Sequence, residues 1–175
     1  PAYTSNASPN DKNIRALRAQ FYRNFSRSSI TELPETADEA KTVAALLNAP
    51  QESAPLQLRE QASRANVLKL NESELLDDYQ YLLFAMHGVL PGEVDHIVQS
   101  ALVLSDDFLT MGDVFGLKLN ADVVSLSACN TGMGTQVKGE GVVGLTRAFM
   151  FARTPVVAVT LWSVESLSAK ELDIG

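Results

Sequence analysis

Hydrophobic runs and stretches of helical periodicity alternate along the second half of this chain. Three runs are apolar almost throughout: YQYLLFAM (79–86), DVVSLSA (122–128) and PVVAVTLW (155–162). Such runs are typical of strands that are covered on both faces of a parallel sheet. Before the third run, VVGLTRAFMFAR (142–153) has the apolar spacing of a buried helix. The pattern predicts an α/β domain in which helices cover both faces of a mostly parallel sheet.

Two helix starts are marked by capping patterns. Thr36 has Glu39 three residues later, which is the spacing of a capping box, and the pair predicts a helix that begins at Thr36. In the same way, Thr110 with Asp113 predicts the start of a short helix. The segment SRANVLKL (63–70) predicts a further helix.

Weaker patterns complete the predicted elements. APLQL (54–58) and SALVL (100–104) predict short strands, the second within a hairpin. Residues 9–25 and 163–172 predict helices. The polar segment 1–32 is expected to form an edge of the domain, because 175 residues is the length of one domain with a sizeable core.

Two reactive side chains follow predicted strands. His87 comes directly after the first apolar run, and Cys129, the only cysteine of the chain, comes directly after the second. In an open parallel sheet the working residues collect beyond the carboxyl ends of the strands. If these two strands are parallel neighbours, both side chains emerge at one edge, and the segment between them is long enough for the crossover that parallel pairing needs.

A thiol and an imidazole at one edge suit nucleophilic catalysis. A thiol at its free pKa is only a few per cent thiolate at neutral pH, so Cys129 would profit from His87 as a base that later protonates the leaving amine. The backbone N–H groups of Gly88 and Cys129 are candidate oxyanion donors. Two simpler interpretations remain open: Cys129 as a small buried hydrophobic residue, and His87 as a turn residue.

Composition and charge exclude several classes of function. A net charge of −7 argues against nucleic-acid binding, and no apolar run reaches the roughly 18–20 residues of a membrane helix. A single cysteine cannot form an internal disulfide, so we expect a reducing, cytoplasmic location. One cysteine with two histidines falls short of a structural zinc site, and we expect neither a metal nor a cofactor.

The order of motifs along the chain resembles that of the CHAT domain, a caspase-like domain usually attached to tetratricopeptide repeats in bacterial proteins. The segments that carry the resemblance most specifically are FAMHG (84–88), SACNTG (127–132) and GEGVVGL (139–145). It covers residues 33–175 and implies a caspase–haemoglobinase fold. It also implies a C-terminal truncation, because the family continues with a closing strand beyond the last residue of this chain.

The resemblance implies a cysteine endopeptidase that hydrolyses peptide bonds of a protein substrate through a thioester acyl-enzyme. His87 is then the general base, Cys129 the nucleophile, and the backbone of Gly88 and Cys129 the oxyanion donors. The family setting implies control by regions outside this chain, such as tetratricopeptide repeats. Two alternatives are a non-catalytic signalling or scaffold module with the same fold, and a hydrolase or transferase of another clan that acts on a small molecule.

Substrate choice depends on charged residues near the motifs. Relatives of the CHAT domain often bind the side chain before the cleaved bond in a charged pocket. Glu140 and Asp113 are the candidates here, and they would favour a basic residue. The alternative for Glu140 is structural, because a carboxylate between two glycines at a helix start suits the helix dipole.

Overall fold

A three-stranded parallel sheet forms at the three apolar runs. The protein is represented by a computed structural model, which describes residues 33, 35–47, 56–92, 94, 97–127 and 140–159. In it, β1 spans Tyr81–Ala85, β5 spans Val123–Ser127 and β6 spans Val156–Val159. The strands lie in the order β1-β5-β6, and both pairings are parallel. The predicted parallel sheet is therefore confirmed.

A second, antiparallel sheet lies between β1 and β5 in sequence. It consists of β2 (Gly88–Val89), β3 (Ala101–Val103) and β4 (Phe108–Thr110), in that order. The hairpin predicted at 100–104 is confirmed as the antiparallel pair β3–β4.

The short strand predicted at 54–58 is wrong in its described part. Residues 56–58 belong to no strand and lead directly into a 3₁₀ turn at Arg59–Gln61. Leu56 remains 39% exposed there, so the apolar pattern of this segment does not reflect burial in a sheet.

Within the described residues, four α-helices connect and flank the strands: α1 (Thr36–Leu46), α2 (Arg64–Glu72), α3 (Met111–Phe115) and α4 (Glu140–Phe151). Helix α1 lies against β1, and α4 lies against β6. The helices predicted at 63–70 and 142–153 are confirmed with shifts of one or two residues at their ends. The helices predicted at 9–25 and 163–172 lie outside the described residues.

The two predicted capping boxes have different outcomes. The one at α3 is confirmed: Thr110 Oγ1 accepts from the Asp113 N–H at 3.2 Å, and Asp113 Oδ2 accepts from the Thr110 N–H at 2.9 Å. The one at α1 is wrong, because Glu35 occupies the N-cap position and the Thr36 hydroxyl instead donates to the Leu33 carbonyl at 2.8 Å. The helix begins at Thr36 as predicted, but without the expected side-chain cap.

Alternate residues of the parallel sheet form the main core. Paired residues of neighbouring strands share one face, and on that face the core includes Leu82, Phe84, Val124, Leu126, Val157 and Val159. Phe149 of α4 is fully buried there, with its ring centroid 5.4 Å from that of Phe84. The opposite face of β5 carries the buried hydroxyls of Ser125 and Ser127.

Coverage on both faces holds for the middle strand only. β5 is buried over four of its five residues, whereas Phe84 is the one buried residue of β1 and Val156 of β6 is 52% exposed. The expectation of a strand covered on both faces is thus wrong for β1, which lies with β6 at the two ends of the described sheet. Among the described helices, none combines the length and the hydrophobicity of a bilayer-spanning segment.

Candidate functional site

His87 lies at the junction of the two sheets. β1 ends at Ala85 and β2 begins at Gly88, so His87 belongs to the two-residue link between a parallel and an antiparallel strand. Its carbonyl accepts a hydrogen bond from the Val103 N–H of β3 at 2.8 Å. The side chain is half-buried and its Nδ1 atom is shielded from solvent. The histidine is therefore held by the backbone of both sheets rather than by a loop of its own.

The strand pairing brings the carboxyl ends of β1 and β5, which the two candidates follow in sequence, to one edge of the parallel sheet. β1 and β5 are parallel neighbours, and their last paired residues are Ala85 and Ser127. In sequence, His87 comes two residues after Ala85, and Cys129 comes two residues after Ser127. The parallel adjacency on which the prediction depended is confirmed, whereas Cys129 itself lies outside the described residues.

The backbone of Gly88 faces away from its partner strand. Gly88 is paired with Leu102, and the hydrogen bond from Val103 N–H to the His87 carbonyl flanks that pair. In an antiparallel ladder this pattern belongs to a non-hydrogen-bonded pair, in which N–H and C=O of both residues point outward. The Gly88 N–H therefore points to the open side of β2, next to the histidine.

Asp113 is held by neighbours on two elements. Arg64 of α2 donates to its two carboxylate oxygens, from Nη2 at 2.6 Å and from Nε at 3.0 Å, and Thr110 donates from its backbone and hydroxyl at 2.9 Å. Burial raises the pKa of Asp113, but the hydrogen bonds from Arg64 and Thr110 outweigh it and hold that pKa below its usual range. The carboxylate is consequently charged and fully engaged at neutral pH.

Glu140 is the first residue of α4, and its side chain lies outside the described residues. The helix start that the structural interpretation of Glu140 required is present. A substrate-pocket role stays a prediction for Glu140 and for Asp113. Among the described residues, no group of three histidine, cysteine, aspartate or glutamate side chains is arranged to hold a metal ion.

Arg64 is a residue that sequence reasoning missed. It follows Ser63, whose side chain accepts from the Asn66 N–H and caps α2, and no acidic residue stands in the first turn of that helix. A cation at the positive end of a helix dipole is unfavourable. That mismatch is the signal that indicates a specific partner for the guanidinium, and the structure supplies it as Asp113, while Asp106 accepts from the Arg64 backbone N–H.

A comparison with protein-family models finds one match over nearly the whole chain. The CHAT domain model matches residues 4–173, a range that includes most of the polar N-terminal segment as well as both candidate site segments. A search of curated proteins finds no significant match.

Proposed function

The chain belongs to the CHAT domain family, whose members are caspase-like cysteine peptidases, and we propose that it hydrolyses peptide bonds with Cys129 and His87 as the catalytic pair. The observation that carries this proposal is the strand register, in which Ala85 pairs with Ser127. Each catalytic residue is two positions beyond that pair, at the carboxyl end of its strand, where open parallel sheets collect their working residues.

The proposed reaction begins with the thiol. His87 takes the proton of Cys129, and the thiolate attacks the peptide carbonyl carbon. The oxyanion accepts hydrogen bonds from the backbone N–H groups of Gly88 and Cys129, and the outward direction of the Gly88 N–H supports this role. The C–N bond then breaks as His87 protonates the leaving amine, which leaves a thioester. A water molecule, deprotonated by His87, hydrolyses the thioester and restores the thiol.

The finer assignments follow from the same framework. A parallel sheet flanked by helices, with His87 after one strand and Cys129 after its neighbour, supports a caspase–haemoglobinase fold. Glu140 is a better candidate than Asp113 for a pocket that binds a basic substrate residue, because the oxygens of Asp113 are engaged by Arg64 and Thr110. We place the enzyme in the bacterial cytoplasm, under the control of partner regions such as tetratricopeptide repeats.

Covalent labelling of the single cysteine tests the proposal directly. A peptide-like electrophile can modify only Cys129 as a thiol, and intact-mass spectrometry gives the rate. We expect His87→Ala to slow labelling by about 10²-fold or more, as for the loss of a general base. His96→Ala is the matched control, because it removes the other histidine of the chain, and we expect the wild-type rate.

The opposite result identifies the alternative. Labelling no faster than that of a free thiol, and equal in wild type and His87→Ala, would mean that the chain is a non-catalytic signalling or scaffold module with the caspase-like fold, or that it waits for an activator. Fast labelling by small electrophiles alone, with no preference for peptide-like ones, would instead favour a small-molecule hydrolase or transferase.

A further inference from the structure

Arg64 contacts both ends of β4, the last strand of the antiparallel sheet. Asp106 lies in the turn before β4, and its carboxylate accepts from the backbone N–H groups of Arg64 at 2.6 Å and Ala65 at 3.2 Å. Asp113 lies in α3, directly after β4, and accepts the two guanidinium hydrogen bonds of Arg64. We call these contacts of Arg64 with Asp106 and Asp113 the hairpin clamp.

Further hydrogen bonds tie the same turn to the segment that precedes α2. The Ser105 N–H donates to the Ala62 carbonyl, and its hydroxyl donates to the Glu60 carbonyl, both at 2.9 Å. Helix α2 in turn leads through a short 3₁₀ segment into β1 of the parallel sheet. The clamp therefore joins the antiparallel sheet to the chain segment that enters the parallel one.

The clamp is connected to the histidine through a short path. β4 pairs with β3, and Val103 of β3 donates to the carbonyl of His87. β2, which starts at Gly88, is only two residues long and is paired with β3. A displacement of the β3–β4 hairpin would therefore move the backbone of both His87 and Gly88.

We propose that Arg64 is a positioning residue for the catalytic histidine: by clamping both ends of β4 to the start of α2, it fixes His87 and the Gly88 N–H relative to the end of β5. This inference rests on the proposed function, since it names a support of that site. Arginine suits the task because its planar fork binds a carboxylate at two points and so restricts rotation as well as distance. Displacements of about 1 Å at a catalytic group can cost about 10²-fold in rate.

The test uses His96→Ala as its background, in which His87 is the only histidine and Cys129 the only cysteine. Arg64→Gln removes the guanidinium fork but keeps the backbone N–H groups bound by Asp106. Lys118→Gln is the matched control, because Lys118 forms an exposed ion pair with Glu74 at 3.4 Å that is separate from the clamp. The readouts are the pH profile of Cys129 alkylation by iodoacetamide, the NMR titration of the His87 ring, and circular dichroism to establish folding.

For folded Arg64→Gln we expect alkylation at pH 7 to slow about tenfold or more, a pH profile displaced toward that of His87→Ala, and a shifted His87 resonance. Arg64→Lys should recover only part of the rate, since an ammonium lacks the fork. Lys118→Gln should have the same alkylation rate, pH profile and His87 resonance as the background protein. If folded Arg64→Gln has the alkylation rate and the His87 resonance of the background protein, the inference is overturned.

Failure of the proposed function has a different signature. If the background protein and its His87→Ala variant are alkylated alike, the catalytic pair is refuted, and the His87 resonance alone then decides whether Arg64 positions the ring. An unshifted resonance in Arg64→Gln rejects the inference in that case too. If Arg64→Gln does not fold, Asp113→Asn, which leaves the Asp106 contacts in place, is measured with the same readouts and the same criteria.

Discussion

The Arg64–Asp113 ion pair should contribute more to stability than a surface ion pair, and a double-mutant cycle can measure the difference. The perturbations are Arg64→Gln, Asp113→Asn and the double variant. Both replacements are close in shape to the original side chains, and an asparagine oxygen can still accept from Thr110 at the start of α3. The cycle therefore isolates the charged, two-point contact between Arg64 and Asp113.

The structure sets the expected magnitude. The two N–O distances are 2.6 and 3.0 Å, and the side chains of Arg64 and Asp113 are 27% and 17% exposed. Fully exposed pairs couple by about 0.2–1 kcal/mol, whereas hydrogen bonds to charged groups contribute about 1.5–3 kcal/mol. Solvent screening of a partly exposed pair reduces the upper figure, so we expect a coupling energy of about 1–2 kcal/mol.

The same pair predicts a pH dependence with a definite sign. Burial raises the pKa of Asp113, but the hydrogen bonds from Arg64 and Thr110 leave it below its usual range. A depressed pKa contributes stability that is fully present above the unfolded value of about 3.9 and is lost as the pH falls through the folded value. The pKa of Arg64 is raised, chiefly by its hydrogen bond with Asp113, so Arg64 stays charged throughout. The coupling should be constant from about pH 5 to 8 and should decrease below about pH 4.

Urea unfolding at 25 °C, followed by circular dichroism, gives the four free energies of unfolding for each cycle. The control cycle uses Lys118→Gln and Glu74→Gln. The wild-type side chains of Lys118 and Glu74 are 68% and 74% exposed, so the coupling energy of this pair should be less than about 0.5 kcal/mol. An Arg64–Asp113 coupling no larger than that of the control, or one that grows as the pH is lowered toward 4, would refute the reasoning.

Three further changes test packing and capping by the same unfolding assay. Ser63→Ala should lower the free energy of unfolding by about 1 kcal/mol, because Ser63 caps the start of α2. Ser73→Ala, at the exposed C-terminal end of the same helix, should lower it by less than about 0.5 kcal/mol. Equal losses would contradict the capping argument. Phe149→Ala should cost about 3–5 kcal/mol, since Phe149 is fully buried against Phe84, and a cost below about 1 kcal/mol would mean that the core closes over the gap. Gly144→Val should lower the free energy of unfolding by about 1–3 kcal/mol, because a Cβ at Gly144 would lie 3.1 Å from Met111 Sδ. In the double variant, Met111→Ala should relieve part of that loss. If the losses of the two single variants simply add, the contact is contradicted.

Much of the fold was predictable because its signals are local. A continuous apolar run of strand length indicates a strand wherever it lies in the chain, and all three runs form strands of one parallel sheet. The capping box of Thr110 and Asp113 is equally local and is confirmed. The box at Thr36 fails because Glu35 takes the N-cap position and the Thr36 hydroxyl donates to the Leu33 carbonyl instead.

The sequence also determined which residues stand at the candidate site, though not how they are held. The residue types and their places after two apolar runs make His87 and Cys129 the candidates, because a thiol and an imidazole at one sheet edge suit nucleophilic catalysis. That their strands are neighbours, with Ala85 opposite Ser127, is decided only by pairing across the sheet. Strand pairing depends on contacts between segments distant in sequence, which no local pattern contains.

The hairpin clamp belongs wholly to the tertiary structure, whereas the hairpin itself was predicted from the pattern at 100–104. Nothing near Arg64 in sequence predicts that its partners are Asp106 and Asp113, more than 40 residues away. The mismatch of a cation with the positive helix end was the one available sign. Sequence thus determined the elements and the reactive side chains through short-range propensity, whereas the strand order, the register and the support of His87 arose only when distant segments packed together.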